Sequence, residues 1–205
     1  MKKILFSILI SGLLFSACSA EVLMSPVPVG QDKVAIQGFY SCTPVKLSDE
    51  NIIVYGPKII YGINDSLDLF GKIGSATYGG TGSTVVGVGG KYAIPKTLWN
   101  VPLDIAAVLS YDSNSGKDIA WTTINIGLIA SKYLRDNFSA YGALYGMQNS
   151  NKFTGAKSQN SNDCMWGFGV KYQYNRKFGF LTELMMFTTA SDSYSTFSMA
   201  VQYNM

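Results

Sequence analysis

From Phe197 to Met205 every second residue is large and apolar, and the residues between are Ser198, Ala200, Gln202 and Asn204. A period of two is the signature of a β-strand with one greasy face and one polar face. The same alternation recurs along the chain. It assigns one face to Ile59, Tyr61 and Ile63; to Leu69 and Ile73; to Val86, Val88 and Tyr92; to Ile124, Ile126 and Leu128; and to Trp166, Phe168 and Val170. The stretch 138–148 is apolar in both phases, and its faces cannot be told apart.

Hydrophobic residues make up 47% of the chain and charged residues 14%, against about 25% charge in soluble domains. Yet beyond residue 20 no apolar run approaches the roughly 20 residues that a membrane helix needs. An apolar chain without long apolar runs suits alternating strands exposed to lipid. The competing reading is a secreted soluble β-sandwich, whose strands also alternate.

Ten strands are expected, at 33–40, 51–63, 67–78, 83–94, 101–111, 119–133, 138–148, 164–174, 178–188 and 195–205. Short connections (64–66, 95–100, 134–137, 175–177) alternate with mostly longer ones rich in Ser, Asn and Gly. Short turns on one side and longer loops on the other are the habit of outer-membrane barrels. The fold class is therefore all-β, an antiparallel up-and-down transmembrane β-barrel of ten strands. If the weak first strand fails, the even count makes eight. Aromatic residues gather near both strand ends, Trp121 and Trp166 among those on the loop side, as two belts bracketing a lipid band.

Lys2 and Lys3 precede an apolar run that ends in Ser16-Ala17-Cys18-Ser19-Ala20, which reads as a signal peptide over residues 1–20. Two processing routes stay open: cleavage after Ala20, or lipidation of Cys18. Residues 21–32, with Pro26, Pro28 and Gly30, read as a periplasmic tether, and residues 33–205 as the barrel. Without Lys2 and Lys3, fourteen basic residues face thirteen acidic ones. That balance gives no reason to expect nucleic acid.

The phase opposite the greasy one holds Lys58, Asp68, Lys72, Lys91, Asp104, Lys171 and Glu183. In a barrel of this size these point into a lumen largely filled by side chains, where charges must pair to survive desolvation. A salt-bridged plug is the first reading and a narrow ion path the second. Asp112, like Asp49, Glu50 and Asp118, reads as solvated loop charge. The chain has no histidine, so general-base chemistry built on imidazole is excluded, as are His- or Cys-cluster metal sites. No cofactor is expected, and Gly79-Gly80-Thr81-Gly82 lacks the Lys-Ser/Thr and helix of a phosphate loop. Cys42 and Cys164 fall on the same side of the barrel. They are either a disulfide across the mouth or two free thiols.

The segment Tyr61-Gly62-Ile63-Asn64-Asp65-Ser66-Leu67-Asp68-Leu69-Phe70, the run Gly87-Val88-Gly89-Gly90-Lys91-Tyr92 and the terminal strand together resemble the small outer-membrane β-barrels of Gram-negative bacteria, the OmpA-transmembrane, OmpX and opacity-type group. The resemblance covers residues 33–205. It implies a non-enzymatic integral outer-membrane protein, used for adhesion or envelope structure, with a narrow diffusion channel as the alternative. It also implies outer-membrane lipid and the barrel-insertion machinery as partners, and an extracellular ligand held by the loops.

Overall fold

The structure is a computed structural model and describes residues 23–44, 51–78, 80–98, 101–116, 119–153, 159–188 and 193–205. The leader 1–20 and Cys18 lie outside these residues. Ten antiparallel strands form one closed barrel. They are β1 (Val34–Pro44), β2 (Asn51–Gly62), β3 (Leu67–Tyr78), β4 (Thr81–Ile94), β5 (Asp104–Ser115), β6 (Ile119–Arg135), β7 (Phe138–Phe153), β8 (Gln159–Gln173), β9 (Phe178–Thr188) and β10 (Ser193–Asn204). Each strand pairs with its sequence neighbours, and β1 closes the barrel on β10 from Ala35↔Asn204 to Cys42↔Phe197. No described helix is long and apolar enough to cross a membrane.

Two turns are built alike. Asn64 accepts hydrogen bonds from the amides of Ser66 (2.8 Å) and Leu67 (2.9 Å), and Asn175 does the same for Lys177 and Phe178. An Asn side chain that mimics a backbone turn makes such connections tight. Across the barrel, β3 and β4 pair as far as Tyr78↔Thr81, so Thr81 and Gly82 of the expected loop belong to β4. Gly80 has φ +77° there, a conformation that glycine adopts without penalty.

The faces fall as the alternation predicts. Ile59, Leu69, Ile73, Val88, Leu109, Ile126, Phe168, Phe180 and Val201 are exposed on the outside, while Ala35, Phe39, Ile60, Phe70, Val85, Val108, Ile129, Leu181 and Met185 pack inside. On β7 the inward residues are Tyr141, Ala143, Tyr145 and Met147. Both its phases carry apolar atoms because the lumen itself is partly apolar. Trp121 does not join the outer belt: it is 3% exposed and packs in the lumen.

A narrow barrel holds side chains this large because glycines stand opposite them. Phe70 faces Gly89, Tyr145 faces Gly127, Tyr141 faces Gly169 and Met185 faces Gly167. A Cβ at any of these four glycines would collide with the ring or thioether across from it. Interiors packed to crystal density leave no slack for such an atom.

The strands run further into the loops than the sequence suggests. β5 reaches Ser115. β7 and β8 continue their ladder from Gly146↔Cys164 to Asn151↔Gln159, and the last described β8–β9 pair is Cys164↔Thr188. The supposed long loop 149–163 is therefore mostly paired strand.

Candidate functional site in the lumen

Of the residues expected to be a tether, Leu23 to Val29 lie inside the barrel. Leu23 and Met24 are buried at 0% and 3% exposure. The chain enters from the turn side. There Lys33 donates its amide to the Gly30 carbonyl (3.2 Å) and Asp32 donates to Gly62 (2.9 Å). Gly30 and Asp32 both hold positive φ, a conformation glycine and aspartate tolerate better than most residues. This reversal turns the segment inward from the start of β1.

The segment meets the charges read from the sequence. Lys91 makes an ion pair with Asp68 (2.9 Å) and donates to the carbonyls of Ser25 (2.7 Å) and Val27 (3.0 Å). Asp68 also accepts from the Val29 amide (3.2 Å). Glu183 accepts from the Leu23 amide (3.2 Å) and from the Tyr141 hydroxyl (3.1 Å). The segment's backbone, which has no sheet to pair with, thus finds partners among lumen charges. That satisfies both sides of an otherwise costly burial.

Lys72 bonds to Asp112 at 3.1 Å, with both side chains buried, and the Asn125 amide donates to Asp112 (3.2 Å). Asp112 is therefore a lumen residue and not a loop acid. Carrying the phase of Ala106 and Val108 forward through Ser110 would have found it. Asp104 keeps the inward phase but sits at the rim, where it pairs with the exposed Lys96 (2.9 Å). Such surface pairs contribute little. Lys58 is buried with its ammonium 5.3 Å from the centre of the Phe70 ring, a cation–π distance. Lys171 is half-buried at the turn-side mouth and has no acidic partner among the described residues.

Toward the loop side hydroxyl and amide pairs take over, with Asp163 joined to them. Ser41 bonds to Ser198 (2.7 Å) and Thr43 to Thr196 (2.5 Å) across the β1–β10 seam. Thr123 donates to Asn149 (2.6 Å), which donates to Asp163 (2.9 Å).

Cys42 and Cys164 are free thiols. Both have the outward phase, and two strands, β9 and β10, lie between those that bear them. At about 4.8 Å per strand step, three steps exceed the roughly 7 Å that a disulfide allows between Cα atoms. Of the two readings the free thiols hold, because neither side chain points over the mouth.

A closed antiparallel barrel with an apolar outer band, a packed lumen and hairpin connections is a transmembrane β-barrel. No family model and no curated protein matches the sequence. Among solved structures the chain is similar to the N-terminal β-barrel domain of Pseudomonas aeruginosa OprF, at 16% identity over 86% of this chain and 99% of that one, with a TM-score of 0.41. It is similar to the KdgM porin in complex with disordered oligogalacturonate, at 13% identity over 82% and 98%, TM-score 0.45. It is also similar to the Yersinia pestis outer membrane protein Ail in a phospholipid bilayer nanodisc, at 12% identity over 85% and 100%, TM-score 0.46. At these identities no ligand or activity transfers.

Proposed function

We propose that this chain is a non-enzymatic integral protein of the bacterial outer membrane, exported by its leader, whose lumen is closed and whose working surface is the loop side. Its role on this reading is adhesion or envelope structure. The observation that carries it is the filled lumen. The segment from Leu23 to Val29 lies on Lys91, Asp68 and Glu183, and the large inward side chains leave a conducting path little room. The loop-side ladder of β7 and β8 supports the second half of the reading. It carries Asn160, Ser161, Asn162 and Asp163 beyond the last described β8–β9 pair, a polar surface suited to an external ligand.

The test is conductance in planar lipid bilayers, with heat-modifiable gel migration confirming insertion. The full mature chain is expected to stay closed. A variant lacking residues 23–29 is expected to pass current. Steady open-channel current from the intact chain would overturn the closed-barrel reading in favour of a diffusion channel. Recovery of the mature protein in soluble form without detergent would overturn membrane insertion.

A further inference from the structure

The turn-side mouth holds a cavity of about 190 Å³, where one water needs about 10–15 Å³. Among the described residues four cations line it, Lys33, Lys91, Lys171 and Arg176, and no acidic side chain does. Lys91 is committed, its three donors facing Asp68 and the carbonyls of Ser25 and Val27. The other three have no acidic partner among the described residues. Like charges gathered in a concave site repel one another unless an anion joins them.

Arg176 and Lys33 are exposed at the mouth and Lys171 is half-buried. Arg176 lies in the turn capped by Asn175. Lys33 lies along Gly30, so that a Cβ there would sit 3.5 Å from the Lys33 ammonium. Lys171 extends from the inner phase of β8. The amide of Asn204 completes this wall.

A second observation is independent of charge. Gln37 lines the same cavity and is 1% exposed. Its nitrogen donates to Gln202 (3.0 Å), but its carbonyl oxygen has no hydrogen-bond partner among the described residues. A buried acceptor left unpaired is costly, so a donor in the cavity would be favoured. The cations call for an anion and Gln37 calls for an O–H on the ligand. Hydrogen phosphate and protonated phosphomonoesters have both, and sulfate has only the charge.

We propose that this cavity is a binding site for a phosphate group, with Lys171, Lys33 and Arg176 neutralising it and Gln37 accepting its proton. Arginine forks and lysine point charges are the usual protein partners of phosphate. The group could arrive free in water or on a lipid headgroup.

The experiment uses the whole mature protein in zwitterionic detergent, titrated calorimetrically with inorganic phosphate and then with sulfate at fixed ionic strength. Saturable phosphate binding is expected, at least fivefold tighter than sulfate. Lys171→Met and Arg176→Ala should each weaken it tenfold or more. Lys96→Ala, whose lysine pairs with Asp104 outside the cavity, should leave it unchanged. In nanodiscs, adding phosphatidylglycerol to phosphatidylcholine separates the sources. A Lys171-dependent loss of phosphate affinity supports a headgroup in the site, and an unchanged affinity supports free phosphate. Absence of saturable binding, or binding that both cavity variants leave within twofold, overturns the site. Equal affinity for sulfate overturns the role of Gln37.

Discussion

The two ends of the lumen solve the same problem differently. Both must bury polar groups inside a barrel with little room for water. At the loop-side end the β1–β10 seam does so in neutral pairs, Thr43 with Thr196 and Ser41 with Ser198. The turn-side end does so with charges, and those charges are shared with a third party, the backbone of residues 23–29. A neutral pair is self-contained. A charge that also holds a peptide backbone is not, and the two ends should therefore respond differently to the same kind of substitution.

The sharpest contrast comes from breaking one member of each set. Asp68→Asn leaves Lys91 buried beside uncharged groups. It should cost about 3–5 kcal/mol in urea unfolding of the lipid-reconstituted protein, as for other broken buried pairs. A loss below about 1 kcal/mol would mean that water reaches this end and the distinction collapses. Removing both partners is the next test. Asp68→Asn with Lys91→Met still orphans the carbonyls of Ser25 and Val27, and should remain destabilised by at least about 1–3 kcal/mol, the cost of unsatisfied buried groups. Full recovery in the double variant would show that the segment does not depend on the pair.

At the loop-side end Thr196→Val leaves the Thr43 hydroxyl unpaired and should cost about 1–3 kcal/mol in the same assay. The smallest effect is expected from Thr43→Val with Thr196→Val, which removes both hydroxyls and keeps shape. It should unfold within about 0.5 kcal/mol of the parent, since replacing both partners is nearly neutral. A double variant as damaged as the single one would place these hydroxyls in a wider network and break the contrast from the other side.

Much of the barrel was legible in the sequence. Strand number, hairpin order and the outward face follow from the period-two alternation, because lipid outside and packed lumen inside impose it residue by residue. The faces of β7 were not legible. Tyr141 and Tyr145 lie inside against Gly169 and Gly127, and that pairing shows only once register is known. Lys58, Asp68, Lys72, Lys91 and Glu183 were placed in the lumen from phase alone, and they lie there. Asp104 and Asp112 exchange roles because β5 runs from Asp104 to Ser115 and not over 101–111, which leaves Asp104 at the rim and brings Asp112 into the lumen. The N-terminal segment was hidden for a different reason. Its path depends on partners 39 and 160 residues away in the chain, and no local pattern encodes them.

The short connection between that segment and β1 has a consequence of its own. Gly30 to Lys33 join a lumen-filling peptide covalently to the first strand of the barrel it fills. The segment is thus an intramolecular ligand, present at its site at an effective concentration on the order of millimolar for so short a link. Its contacts need only modest intrinsic affinity to keep the site occupied almost all the time. A detached peptide of the same sequence would have to be supplied at comparable concentration to compete, and dilution of the protein would leave the occupancy unchanged.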